Sequence, residues 1–343
     1  MSTSMTSFFM FFMSYVVFLL LPRLDVAGGQ SIGVCYGMVA DNLPQAQEVI
    51  DLYKSHNIGK LRLYSPSHDA LEALRGTDIE VLVDVPNENL QEFASSSSAA
   101  STWVDNNIRT FWPDVRFKYI AVGNELIPSN NAQFILGAMQ NIHKALESAG
   151  LKDNIKVSTA VSMTVLKTSF PPSEGAFGDD QLEYLVPIAR FLVGTGAPFL
   201  ANVYPYFSYL GNPSDISLPY ALFTASSVIV HDGSLGYQNL FDAMVDALYS
   251  ALERVDASNV EVVVSESGWP SQGSAAASYE NARNYNQNLI RHVHGGTPKR
   301  SGSPIETYLF AMFNENQKPG EETEQHFGLF YPSKEPVYSI DFS

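Results

Sequence analysis

The stretch of sequence that decides the fold reads Val262-Val263-Val264-Ser265-Glu266-Ser267-Gly268-Trp269-Pro270. Its run of β-branched residues is typical of a strand buried on both faces, and a glutamate follows almost directly. A second stretch, Ala121-Val122-Gly123-Asn124-Glu125, repeats the arrangement. Core packing explains Glu266 poorly, because a buried carboxylate needs a partner. Glu125 and Glu266 are therefore candidate functional residues.

Eight short apolar runs recur along the chain, separated by segments with helical periodicity. They predict strands at Ile32–Tyr36, Lys60–Tyr64, Ile79–Val85, Tyr119–Val122, Ile155–Ala160, Phe199–Tyr204, Val260–Ser265 and Thr307–Phe313. Segments such as Pro44–His56 and Ala132–Ala149 predict amphipathic helices between them. This alternation is typical of α/β proteins with parallel strands. Eight strands, without a Gly-x-Gly-x-x-Gly turn after the first, favour a single-domain (β/α)₈ TIM barrel over an open doubly wound sheet.

The carboxyl ends of the strands form the catalytic face of such a barrel. Polar and aromatic residues collect just past the predicted strand ends, at Tyr36, Tyr64, Asn124, Glu125, Tyr204, Glu266 and Glu315. The longest connection, Pro205–Leu240, is rich in Tyr, Ser, Pro and Gly. We expect it to form an elaborated loop beside the site.

Two carboxyl groups facing each other across a groove can hydrolyse a glycosidic bond, one as acid and one ionised. Glu125 and Glu266 meet this requirement if they leave the fourth and seventh strands. A carboxyl separation of about 5–5.5 Å gives retention of configuration and about 6.5–9.5 Å gives inversion, so the sequence leaves the stereochemistry open. Glu125 also has a second interpretation, as the cap of a following helix.

The composition limits the classes of ligand. The net charge is −16, which repels a nucleic-acid backbone, while charged residues make up only 16% of the chain and aromatic residues 12%. This balance suits a neutral substrate that stacks on aromatic rings. The single cysteine, Cys35, excludes a disulfide within the chain and is interpreted as a small core residue.

The first 29 residues are interpreted as a secretory signal, and residues 30–343 as one hydrolase domain. Phe8–Leu21 is almost wholly apolar and is followed by Pro22 and the small residues 27–29. A membrane span needs roughly 20 apolar residues, and this run is shorter. The alternative is an anchor that is not cleaved. We expect no membrane association after removal of the signal.

Three motifs carry a family resemblance: residues 121–125, residues 263–271 and the segment from Phe310-Ala311-Met312-Phe313-Asn314-Glu315 to Phe330. Together with Ile32–Gly37 and Leu61–Tyr64, they resemble the plant endo-β-1,3-glucanases of glycoside hydrolase family 17. The similarity runs from Ser31 to about Phe342.

The resemblance implies a retaining hydrolase of internal β-1,3 linkages in glucans such as laminarin, callose or fungal wall polymer. It implies that Glu266 is the nucleophile and Glu125 the acid/base, and that Asn124, Tyr64 and Tyr204 contact sugar. Glu315, Lys318 and Glu324 match further active-site positions of the family.

The last three residues also have a physical interpretation of their own, because a cation between carboxylates keeps Glu266 ionised while the pKa of Glu125 is raised. The alternative is a surface salt-bridge cluster of little energetic value. Tyr64 and Tyr204 could equally complete the packing of the rim. Trp269 is expected to brace the turn after Glu266.

No metal or cofactor is expected, since the histidines are scattered without ligand spacing. The expected partner is a polysaccharide substrate. The mature protein is expected to be an extracellular, monomeric enzyme without nucleic-acid partners. Three alternatives share the barrel: a mixed-linkage β-1,3;1,4-glucanase, a transglycosylating enzyme and a catalytically silent protein that binds wall glucan.

Overall fold

The computed structural model describes residues 32–342, so the interpretation of residues 1–29 as a signal lies outside the described residues. Eight parallel strands form a closed barrel. They are β1 (Ile32–Tyr36), β2 (Lys60–Leu63), β3 (Glu80–Val85), β4 (Arg116–Asn124), β5 (Lys156–Ser162), β6 (Phe199–Asn202), β7 (Val262–Ser267) and β8 (Thr307–Leu309). Each strand pairs with its neighbours in chain order, and β8 closes on β1. The predicted (β/α)₈ TIM barrel is confirmed.

Ten α-helices of the described residues surround the barrel. They are α1 (Ala46–Ser55), α2 (His68–Leu74), α3 (Leu90–Ser95), α4 (Ser97–Val104), α5 (Ala132–Ser148), α6 (Leu182–Thr195), α7 (Pro205–Gly211), α8 (Leu218–Ala221), α9 (Leu240–Arg254) and α10 (Tyr279–His292). Helices α1 and α5 occupy the two segments predicted from apolar periodicity. In α5 the residues Ile135, Met139 and Ile142 are buried on one face, as that periodicity requires.

Two strand boundaries differ from the prediction by more than two residues. Strand β4 begins at Arg116, three residues earlier than predicted, whereas β8 ends at Leu309 instead of continuing to Phe313. Beyond Leu309 the chain passes through a cis peptide bond between Phe310 and Ala311. The backbone there pairs with residues 327–330: Ala311 donates to the carbonyl of Phe327 at 3.0 Å and accepts from Leu329 at 2.8 Å. An apolar run does not reveal which partner its backbone will bond.

The connection Pro205–Leu240 is elaborated, as predicted, but it is not irregular throughout. It contains α7, α8 and an antiparallel hairpin of Val230–Asp232 with Leu235–Tyr237. Another hairpin, of Leu166–Thr168 with Ala176–Phe177, follows β5. Both connections leave the carboxyl ends of strands and so build up the walls of that face.

Among residues 32–342, no helix is both long enough and apolar enough to span a membrane.

Candidate active site

The carboxyl ends of the strands surround an open groove of about 1080 Å³. All eight site residues predicted from the sequence line it, namely Tyr64, Asn124, Glu125, Tyr204, Glu266, Glu315, Lys318 and Glu324. The fold therefore brings together residues that lie up to 260 positions apart in the chain. Their individual roles stay predictions.

Glu266 lies at the base of the groove in a dense set of donors. It is only 7% exposed. Its Oε1 accepts hydrogen bonds from Nη1 of Arg62 at 2.9 Å and from the hydroxyl of Tyr64 at 2.8 Å, and its Oε2 accepts from the hydroxyl of Tyr204 at 2.7 Å. Burial raises the pKa of both phenols, so they remain donors. Charge-assisted bonds of this kind stabilise and orient a carboxylate.

A register shift places Glu266 at this position. Strand β7 pairs regularly with β6 up to Val264 and then skips one residue, so that Glu266 lies opposite Asn202. A shift of register also occurs in β4, between Ala121 and Asn124 along its pairing with β5. Bulges of this type redirect side chains, and both occur directly before a candidate glutamate.

Glu125 follows β4 in a left-handed backbone conformation, with φ of 56°. This conformation costs a non-glycine residue about 1–3 kcal/mol and is concentrated at functional sites. The backbone around it is fixed: its amide donates to the carbonyl of Ala160 at 2.9 Å, and Asn87 bonds both the amide and the carbonyl of Asn124. Helix α5 starts only at Ala132, so Glu125 does not cap it.

The pKa of the Glu125 carboxyl group is raised. Burial is the main cause and the negative charge of Glu266 is the second, although the side chain of Glu125 is exposed to the groove. The hydrogen bond from Nδ2 of Asn202, at 2.9 Å to Oε1, opposes this rise. A carboxyl group with a raised pKa is suited to donate a proton, and it lies beside a carboxyl group that a guanidinium and two phenols hold in place.

Glu315, Lys318 and Glu324 form the opposite side of the site. Glu315 is buried, accepts from the amide of Val39 at 2.7 Å, and burial raises its pKa. Lys318 lies 3.6 Å from Glu324 and 3.8 Å above the ring of Phe310. The cation that contacts Glu266 is therefore Arg62, whereas Lys318 is paired with Glu324.

Sequence reasoning missed three buried polar residues of the site: Arg62, Asp84 and Asn202. Arg62 is completely buried, Asp84 is 2% exposed, and the two form a salt bridge of 2.7 Å. A signal was present in the sequence. Arg62 stands between two leucines of one strand and Asp84 between two valines of the next, and two opposite charges on adjacent buried strands require each other.

The aromatic residues divide into two groups. Phe207, Phe310 and Phe327 line the groove with Tyr64 and Tyr204 and extend its apolar wall. Trp269 does not line it. Its side chain is completely buried against Tyr206 and Tyr285, and its Nε1 donates to the carbonyl of Ala276 at 2.9 Å. It thus braces the chain that leaves Glu266.

Cys35 lies in the core next to this site, fully buried, with its Sγ 3.5 Å from the carbonyl of Ser265. Burial, and then the charge of Glu266, raise the pKa of its thiol, which keeps it a protonated core residue. Within residues 32–342, no three His, Cys, Asp or Glu side chains are grouped so that they could hold a metal ion.

Comparison with known proteins places this groove in context. Residues 32–342 match the sequence profile of glycosyl hydrolases family 17. The chain is 58% identical to a glucan endo-1,3-beta-glucosidase of Vitis vinifera over 337 residues, which cover 96% of this chain and 98% of that protein. It is 55% identical over 328 residues to the basic vacuolar isoform GLB of the same enzyme from Nicotiana tabacum, covering 94% of this chain and 88% of that one.

A solved structure is similar over almost the same length. It is that of CJP38, a beta-1,3-glucanase and allergen of Cryptomeria japonica pollen, which is 53% identical to this chain. The match has a TM-score of 0.89 and covers 91% of this chain and 99% of that one.

Proposed function

This chain belongs to glycosyl hydrolases family 17, and from that premise we propose that it is a retaining endo-hydrolase of β-1,3-glucosidic linkages in β-glucans such as laminarin, callose and fungal wall glucan. One observation carries the proposal: Glu125 and Glu266 share one open groove and are linked there through Asn202 and Arg62. The names of the relatives supply the substrate class.

In the proposed first step, an oxygen of Glu266 attacks the anomeric carbon of the sugar, and the bond from that carbon to the glycosidic oxygen breaks. Glu125 donates its proton to the departing oxygen. The donors around Glu266 hold its carboxyl group in place, and the raised pKa of Glu125 favours the protonated form that the step requires.

In the second step, Glu125 accepts a proton from a water molecule whose oxygen attacks the anomeric carbon and displaces Glu266. Two displacements at one carbon give retention of configuration. We assign sugar contacts to Asn124, Tyr64 and Tyr204 next to the cleaved bond and to Glu315, Lys318 and Glu324 on the facing side. Their common position around one groove supports this assignment.

The test is hydrolysis of laminarin with the anomeric configuration of the first product followed by NMR. We expect β-configured new reducing ends and internal cleavage. Glu266→Gln should lower the rate by at least about 10³-fold, because the nucleophile is lost. Glu183→Gln on the exposed surface of α6 is the matched control and should retain full activity.

Other outcomes of this test would replace the proposal. Faster release of sugar from mixed-linkage β-1,3;1,4-glucan than from laminarin would identify a mixed-linkage glucanase. Products longer than the starting oligosaccharide would identify transglycosylation. Binding of laminarin without any release of sugar would identify a silent glucan-binding protein, and α-configured products would contradict the retaining mechanism.

We further propose that residues 1–29 direct secretion and that residues 30–343 act outside the cell as a monomer, without nucleic-acid or membrane partners. The apolar run Phe8–Leu21 and the net charge of −16 support this proposal. The Nicotiana tabacum relative is named as vacuolar, so the vacuole is the competing location. Immunolocalisation distinguishes the two locations, and N-terminal sequencing of the mature protein tests whether residues 1–29 are removed.

A further inference from the structure

We propose that Asp84, which does not line the groove, is a positioning residue for the hydrolysis: it holds Arg62 so that one guanidinium aligns both catalytic carboxyls. This inference rests on the proposed function, because it assigns a role relative to Glu266 and Glu125. It adds a residue of β3 that no motif or groove position indicates.

The salt bridge between Asp84 and Arg62 fixes the plane of the guanidinium. Nε of Arg62 donates to Oδ1 of Asp84 at 3.2 Å, and Nη2 donates to Oδ2 at 2.7 Å. Such paired bonds between two planar groups determine orientation as well as distance. Arg62 also lies over the ring of Tyr64, 4.5 Å from its centroid, which restricts movement out of this plane.

The remaining donors of Arg62 all point to the catalytic groups or to their supports. Nη1 donates to Oε1 of Glu266 at 2.9 Å and approaches Oδ1 of Asn202 at 3.3 Å, and Nη2 donates to Oδ1 of Asn124 at 3.0 Å. The guanidinium therefore contacts the proposed nucleophile directly. It reaches the proposed acid through one intermediate amide.

That intermediate is Asn202. Its Oδ1 accepts from Arg62 and from the hydroxyl of Ser265 at 2.8 Å, so its Nδ2 must face the other way, where it donates to Glu125 at 2.9 Å and to Asn124 at 3.0 Å. A change in the position of Arg62 would consequently move the hydrogen bond that Glu125 receives. One buried cation thus sets two carboxyls that arise from different strands.

Among Asp84, Arg62 and Asn202, Asp84 is the residue that can be changed without altering a group in contact with Glu125 or Glu266. Burying two charges costs several kcal/mol of desolvation for each ion, which an apolar pair would avoid. A buried Asp–Arg pair under a groove is therefore better explained by orientation than by stability. Burial raises the pKa of Asp84 to about 6, against the opposing influence of Arg62.

The test is Asp84→Asn, which keeps the shape and removes the charge. We expect kcat on laminari-oligosaccharides to fall about 10- to 100-fold, because small misplacement of reacting groups has this effect, with KM within about threefold. Rates are expressed per active site, counted by covalent trapping with a fluoro-sugar. Misfolded molecules therefore do not enter the comparison.

The pH profile gives a readout that a structural role would not move. Burial raises the pKa of Asp84 to about 6, so kcat of the wild type should fall as the pH drops through this value and Asp84 loses the charge that orients Arg62. This decline should be absent from Asp84→Asn. The titratable and charged groups that face Asp84 are Arg62, Glu266 and Cys35, and the substitution alters none of them.

Glu80→Gln is the matched control, because Glu80 pairs with Lys60 across the same two strands at the other end of the barrel. Its kcat and pH profile should equal those of the wild type. A wild-type kcat per active site in Asp84→Asn, or a decline of kcat near pH 6 that persists in this variant, would overturn the inference, even if the number of active sites falls.

If Asp84→Asn yields no folded protein, Arg62→Lys is the second variant that tests the inference. It retains the cation but loses the paired bonds, and we expect kcat to fall with KM little changed; wild-type kcat would overturn the inference. A wild-type protein that releases no sugar from laminarin and is not labelled by the fluoro-sugar would instead contradict the proposed function.

Discussion

The two ends of the barrel interior both contain clusters of charge, and they are organised differently. At the amino ends of the strands, Lys60, Glu80, Lys118 and Glu306 form a ring of alternating sign. Their contacts are Lys60–Glu80 at 2.6 Å, Glu80–Lys118 at 3.1 Å, Lys118–Glu306 at 2.9 Å and Glu306–Lys60 at 3.5 Å. Two cations balance two anions, so each charge has partners on both sides.

At the carboxyl ends, the cations Arg62 and Lys318 face five carboxyl groups: Asp84, Glu125, Glu266, Glu315 and Glu324. Because the negative groups outnumber the cations, they cannot all be ionised at low cost. The pKa of Glu125 is raised there, whereas that of Glu80 is lowered in the balanced ring. The same residue types therefore form a balanced ring at one end and surround a carboxyl group of raised pKa at the other.

Glu125→Gln should show the largest difference between the ends. We expect laminarin hydrolysis to fall about 10²- to 10⁴-fold, since no group protonates the departing oxygen. Activity requires protonated Glu125, so in the wild type it declines as the pH rises through the raised pKa of Glu125. That basic limb should vanish in the variant.

A substrate whose leaving group needs no protonation, such as a dinitrophenyl glucoside, is the control for this first prediction. Its first step should stay nearly as fast in Glu125→Gln as in the wild type. An unchanged rate on laminarin, or an intact basic limb, would show that Glu125 is not the acid.

The next largest effects are expected from alanine substitutions at two glycines near β1, one at each end of the barrel. A Cβ on Gly37 would meet the carboxyl of Glu315, whereas one on Gly33 would meet the ring of Tyr308 and Cβ of Lys60. Gly37→Ala should displace a movable carboxyl and lower kcat/KM about tenfold. Gly33→Ala should cost about 1–3 kcal/mol of stability through overpacking and leave the rate per folded molecule unchanged. Thermal melts and steady-state kinetics of both variants measure these effects. A slower reaction in Gly33→Ala with an unchanged rate in Gly37→Ala would contradict the comparison.

This comparison also shows what the sequence could predict. The barrel and the groove residues at strand ends, from Tyr64 to Glu315, follow from local patterns, because strand ends of a parallel barrel meet on one face. Lys318 and Glu324 are predicted from the family resemblance. The charges of Arg62 and Asp84 are visible among apolar neighbours, but their meeting with Asn202 and the two glutamates is not. Their importance depends on the register of neighbouring strands, and the skipped residue in β7 that sets Glu266 against Asn202 leaves no local mark in the sequence.

Glu80→Gln breaks the balanced ring and should cost about 1–2 kcal/mol at neutral pH, because Lys60 and Lys118 each lose a charged partner. Burial alone would raise the pKa of Glu80, but the hydrogen bond from Lys60 and the charges of both lysines lower it. Its contribution is therefore present above the unfolded pKa, about 4.3, and is lost as the pH falls through the folded pKa.

The measurement for Glu80→Gln is the free energy of unfolding of variant and wild type between about pH 3 and pH 7. The gap between them should be full at pH 7 and close below about pH 4. A gap that does not depend on pH would mean that Glu80 contributes through packing instead of charge.

The smallest effects are expected from one substitution made at both ends. Tyr204→Phe removes the hydroxyl that donates to Glu266 at 2.7 Å, and Tyr119→Phe removes the one that donates to Glu306 at 3.2 Å. Each loses one hydrogen bond to a carboxylate, about 1 kcal/mol. At the carboxyl end this should appear as a roughly fivefold lower kcat, and at the amino end as lower stability with unchanged kcat.

The separation of rate from stability makes this last comparison stringent. Steady-state kinetics and thermal melts of both variants measure the two effects. An unchanged kcat in Tyr204→Phe, or a lower kcat per folded molecule in Tyr119→Phe, would contradict the comparison, because each hydroxyl donates to the carboxylate of its own end.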